Sequence, residues 1–67
     1  MTEDEVRALL REHGWNWCVH RHFHQAYLYA RRRRRGAPRG KFEERYIAPL
    51  SRLPSLSETD ITAKLIR

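Results

Sequence analysis

Val6, Leu9 and Leu10 recur at helical spacing within an otherwise charged opening segment, which places them in one narrow apolar stripe. Thr2 followed by Glu5 makes a capping box, Glu3 and Asp4 suit the positive end of a helix dipole, and Gly14 can turn left-handed after the last turn. A helix over residues 3–13 is therefore predicted, with a stripe that needs a cover.

From Trp15 the period drops to two, the signature of strands. Trp15, Trp17 and Val19 alternate with Asn16, Cys18 and His20, then Ala26, Leu28 and Ala30 alternate with Tyr27, Tyr29, Arg31 and Arg33. Two strands, 15–22 and 26–34, joined through Phe23, His24 and Gln25, form an antiparallel hairpin although no Asn-Gly turn signal is present. The stretch Gly36-Ala37-Pro38-Arg39-Gly40 reads as a loop, and a third strand runs over residues 41–48. Pro49 and Pro54 then bracket Leu50-Ser51-Arg52-Leu53, which cannot continue as regular strand and is expected to cross the sheet end with its leucines turned inward. Ser57 with Asp60 makes a second capping box ahead of a short helix over residues 58–66, where Ile61 and Leu65 share a face.

The predicted fold is α+β, one domain over residues 1–67 in the order αβββα: an N-terminal helix, a three-stranded antiparallel sheet and a short C-terminal helix, with both helices on one sheet face. The expected core is Val6, Leu9, Leu10, Trp17, Val19, Leu28, Ala30, Ile47, Leu50, Leu53, Leu56, Ile61 and Leu65, with Trp15 at its rim. The other sheet face is left free.

Length and charge narrow the function. A chain of 67 residues buries only about 60% of its unfolded surface and has no room for a two-domain enzyme. One cysteine excludes an internal disulfide framework, which points to a reducing, intracellular, cytoplasmic or nucleoid-associated setting. The opening MTEDEVRALL does not have the pattern of a signal peptide, and no apolar run reaches 18 residues, so no membrane partner is expected.

The net charge of +6 is uneven: residues 1–14 carry −2, residues 15–45 carry +7 and residues 46–67 carry +1. Of 14 cationic residues 12 are Arg, the side chain suited to bidentate contacts with phosphates and base edges. The segment Tyr27-Leu28-Tyr29-Ala30-Arg31-Arg32-Arg33, as a strand, lines up Tyr27, Tyr29, Arg31 and Arg33 on the face away from the core. Tyrosines and guanidinium groups together suit nucleic acid, and a β-ribbon fits a major groove. Arg34, Arg35, Arg39 and Lys41 on the following loop would clamp phosphates, and Arg45 is assigned to the same field. Glu43 and Glu44 are expected to pair with neighbouring Arg across the sheet. The bland alternative is a solvated Arg-rich edge kept for solubility, since runs of like charge often belong to solvated tails.

This pattern resembles the AP2-type and integrase N-terminal arm-binding DNA-binding domains. It rests on the Tyr27–Arg32 strand, the Gly36–Gly40 loop and the C-terminal helix, and covers about residues 15–66. The resemblance implies a sheet that enters the major groove. The N-terminal helix, Pro49 and Pro54 depart from that pattern.

Cys18, His20, His22 and His24 fall on one strand face. Cys18, His20 and His22 are chemically able to ligate zinc, but ligands strung along one strand do not converge and no carboxylate sits among them. No metal centre or other cofactor is therefore expected, and His20 and His22 join the polar binding face. Cys18 with His20 lacks an orienting third group or an oxyanion loop, so no catalysis is assigned.

The expectation is a small basic nucleic-acid-binding protein, an accessory or transcription-regulating factor with DNA as partner and RNA as the alternative polyanion. The competing class is an interaction module that docks on an acidic surface of a larger polymerase, nuclease or toxin, or on the ribosome. A homodimer would enlarge the small footprint, although no heptad declares one.

Overall fold

The computed structural model describes residues 1–33 and 41–66. Its elements are α1 (Glu3–Glu12), β1 (Asn16–His22), β2 (Gln25–Arg33), β3 (Phe42–Pro49), a 3₁₀ helix (Leu50–Ser55) and α2 (Glu58–Leu65). The strands form one antiparallel sheet in the order β1-β2-β3. The expected α+β arrangement of helix, three-stranded sheet and helix is thus what the chain adopts. No helix among the described residues is long and apolar enough to cross a membrane.

Both capping boxes form. The Thr2 hydroxyl accepts from the Glu5 amide at 3.2 Å while the Glu5 carboxylate accepts from the Thr2 amide at 2.9 Å. Ser57 and Asp60 repeat the exchange at 3.1 and 3.0 Å. The amides so donated hold the Glu5 and Asp60 carboxyls below their ordinary range.

Helix α1 ends as its sequence requires. Gly14 takes φ +80°, its amide donates to the Arg11 carbonyl at 3.0 Å, and the Trp15 amide reaches back to the Leu10 carbonyl at 2.8 Å. This is the Schellman pattern, in which Trp15 and Leu10 also make the apolar contact that accompanies it. Trp15 is consequently not at the rim, as expected, but buried at 2% exposure.

The core lies between the sheet and the helices. Leu28 and Ala30 of β2 meet Val6, Leu9 and Leu10 of α1, Ile61 and Leu65 of α2, and Leu53 of the 3₁₀ helix, all buried. Trp17, Leu50 and Leu56, expected in the core, only flank it, and Val19 is half-buried at the edge of β1. Ala48 is buried although strict alternation would turn it outward. The cause is a bulge: Leu28 pairs with Ala48 but Tyr29 pairs with Tyr46, so Ile47 is an extra residue in β3 and two consecutive side chains reach the core.

The β1–β2 hairpin closes with His22 opposite Gln25, leaving Phe23 and His24 as a two-residue turn. Phe23 has φ 55° and is 91% exposed, so the position has the left-handed backbone usually given to glycine and gains no burial. Phe23→Gly is expected to stabilise the fold by about 1 kcal/mol, raising the melting temperature by roughly 4–8 °C in a calorimetric scan. A fall in melting temperature would show that the ring's edge contact with His22, at 4.5 Å, outweighs the backbone cost.

Candidate nucleic-acid interface

With both helices on one side, alternation along the three strands fixes what the other side presents. It carries Asn16, Cys18, His20 and His22 from β1, Gln25, Tyr27, Tyr29, Arg31 and Arg33 from β2, and Phe42, Glu44 and Tyr46 from β3. Glu44 is the one acidic side chain among them.

The centre of this face is aromatic. Tyr29 lies edge-on to His20 at 4.6 Å and to Tyr46 at 5.4 Å, and Tyr27 lies 6.2 Å from Tyr46. A shallow depression lined by His20, Arg21, His22, Tyr27, Tyr29 and Tyr46 opens over these rings. Tyr46 at 45% and Phe42 at 50% exposure were not singled out from the sequence, because neither neighbours the Arg run in the chain. Their register opposite Tyr29 and Arg33 brings them onto the face.

The cations gather at the other end. The Arg31 guanidinium sits 4.9 Å over the Phe42 ring and 3.6 Å from Glu44, while its shielded Nε has no acceptor among the described residues. Arg33 and Lys41 are exposed where β2 ends and β3 begins. Arg34, Arg35 and Arg39, the expected phosphate clamp, lie outside the described residues.

Arg45 does not belong to this field. It projects to the helix side, where it donates to Glu43 at 3.2 Å and to the Lys64 carbonyl at 3.3 Å, and lies 5.3 Å from the Trp15 ring. Arg32 stands beside it, 4.2 Å over Trp15 and paired with Glu43 at 3.3 Å. The Arg32 and Arg45 guanidinium groups hold the Glu43 carboxyl below its ordinary range. Two of the central cations thus roof a buried indole.

Cys18, His20 and Glu44 meet above the central strand. His20 Nε2 is 2.6 Å from Glu44 Oε2, and Cys18 Sγ is 3.7 Å from the same nitrogen and 3.8 Å from the same oxygen. The hydrogen bond from His20, more than the nearby Arg31, keeps the Glu44 carboxyl below its ordinary range. Partial burial pushes the Cys18 thiol up from its ordinary range. A catalytic Cys-His-acid relay would use the two ring nitrogens separately, one for the thiol and one for the acid. Here both partners face Nε2. His22 turns to Phe23 instead, and His24 lies in the turn.

Compared with known proteins, the chain matches no family model, no curated protein and no solved structure.

Proposed function

We propose that the open sheet face binds nucleic acid, with duplex DNA as the partner and no turnover. The observation that carries this reading is the composition of a face that no helix among the described residues covers: three tyrosines packed together, flanked by Arg31, Arg33, His20 and His22, with one carboxylate. Tyrosine hydroxyls and guanidinium groups supply hydrogen bonds to phosphate and base edges, and the rings supply apolar contact with sugars and thymine methyls.

Duplex is favoured over single strands by the packing of the rings. Tyr29 and Tyr46 meet edge to face, their centroids 5.4 Å apart at 62°, so the edge of one ring covers part of the other's face. Such rings suit groove and backbone contacts better than intercalated stacking of free bases. Three strands about 4.8 Å apart make a ribbon roughly 10 Å wide, close to the ~12 Å major groove. This is also the arrangement that a likeness to AP2-type and integrase arm-binding domains would imply. Phe23, exposed at the hairpin tip, is placed to press an apolar edge between base steps.

Binding titrated against salt on duplex DNA, single-stranded RNA and heparin tests the proposal. Duplex affinity should be tightest, with a log-log slope against salt of about −0.9 for each phosphate contacted. Duplex binding no tighter than heparin binding at low salt overturns it, and a preference for RNA would move the partner to that class.

A further inference from the structure

We propose that Cys18, His20 and Glu44 form a binding site for one divalent transition-metal ion, zinc being the ion that fits, on grounds independent of nucleic-acid binding. Three donor atoms of three different types, from the two outer strands, all lie within 4.8 Å of one another. Zinc bonds of about 2.3 Å to sulfur and 2.0–2.2 Å to nitrogen and oxygen place tetrahedral ligands about 3.4–3.6 Å apart. The sulfur already stands 3.7 Å from the imidazole nitrogen and 3.8 Å from the carboxylate oxygen. The remaining edge, His20 Nε2 to Glu44 Oε2, is a 2.6 Å hydrogen bond that opens by less than about 1 Å when an ion replaces the shared proton.

The surroundings favour ligation over a plain ion pair. Arg31 sits on the other carboxylate oxygen, Oε1, at 3.6 Å, which leaves Oε2 aimed at the thiol and the imidazole. The edge of the Tyr29–His20 pair, at 4.6 Å and 87°, sets the plane of the imidazole. Outer contacts of this kind orient ligands in metal sites. The thiolate and carboxylate together balance a charge of +2, and the mixed sulfur, nitrogen and oxygen set selects zinc or cobalt over magnesium or calcium. Three protein ligands at a half-exposed position leave the fourth to water, the pattern of an open site. Along the chain Cys18 and His20 lack a carboxylate; β3 brings one from 24 residues beyond His20.

Binding releases the Cys18 thiol proton and the proton shared by His20 and Glu44 to solvent, with no change of oxidation state. The test uses the untagged full chain and two probes, Zn²⁺ in competition with a chromogenic chelator and Co²⁺ followed by absorption. One equivalent of each is expected to bind, and the Co²⁺ form should show a near-ultraviolet thiolate-to-cobalt band with intense tetrahedral visible bands. Cys18→Ser should abolish the near-ultraviolet band and weaken Zn²⁺ by at least about 100-fold, and Arg31→Ala, which frees the second carboxylate oxygen, by about tenfold. His22→Ala should change neither. No binding, or binding without the thiolate band, would reduce the cluster to a His20–Glu44 ion pair beside a thiol. Equal losses in His22→Ala and Cys18→Ser would mean loose surface chelation by histidines. The Co²⁺ spectrum of the unmodified chain decides the matter even if a variant fails to fold.

Discussion

Leu28→Ala is expected to lower the melting temperature by roughly 12–24 °C. Leu28 is at 0% exposure on the central strand, in one buried cluster with residues of α1, α2 and the 3₁₀ helix. Truncating such a leucine costs about 3 kcal/mol in transfer and cavity terms, and a domain of this size melts about 4–8 °C lower for each kcal/mol lost. Total stability for 67 residues is on the order of 3–10 kcal/mol, so the variant should be partly unfolded at 37 °C. Val19→Ala, at a half-buried edge of the same sheet face, should cost under about 1 kcal/mol. Thermal melts by circular dichroism compare the two directly. Equal losses would place the centre of the core elsewhere than on β2.

The parts of the fold that local chemistry controls were legible along the chain. Thr2 with Glu5 and Ser57 with Asp60 mark both helix starts because a cap is a contact within four residues, and Gly14 marks the end of α1 for the same reason. The switch to period two at Trp15 marks the sheet because one side of it is buried. What escaped depended on pairing between strands. The bulge at Ile47 brings Ala48 inward and fixes which residues of β3 share a face with Tyr29, and a one-residue slip there exchanges the two faces. Arg45 is two residues from Ile47 and so on the core side, where it roofs Trp15; its charge alone suggests the Arg31 field, while Tyr46 and Phe42 join that field only through their pairing with Tyr29 and Arg33. Glu44 could be foreseen as a partner of a strand Arg, but its approach to His20 needs the side chains to reach over β2. The 3₁₀ helix at Leu50–Ser55 has no apolar period, and only Pro49 at its start and Pro54 within it mark a break from strand.

The faces of the sheet make separable predictions for binding. Replacing both Arg31 and Arg33 by Ala removes two cations from the open face and should reduce the magnitude of the salt slope by about 2, with about 100-fold weaker duplex binding if each contact contributes about 1.5 kcal/mol. Tyr27→Ala should weaken binding by about tenfold with little change in slope, because the ring carries no charge. Arg45→Ala removes the same formal charge as either outer Arg but from the helix side, where the guanidinium lies 5.3 Å from Trp15 and pairs with Glu43. It should lower the melting temperature by a few degrees and leave the salt slope unchanged. The contrast matters because a generic basic protein would respond to each lost Arg alike, wherever it sits. If Arg45→Ala reduces the slope as much as Arg31→Ala does, net charge governs the association and the open face has no privileged role. If only the outer residues matter, the uncovered tyrosines and the cations beside them form one ordered binding surface.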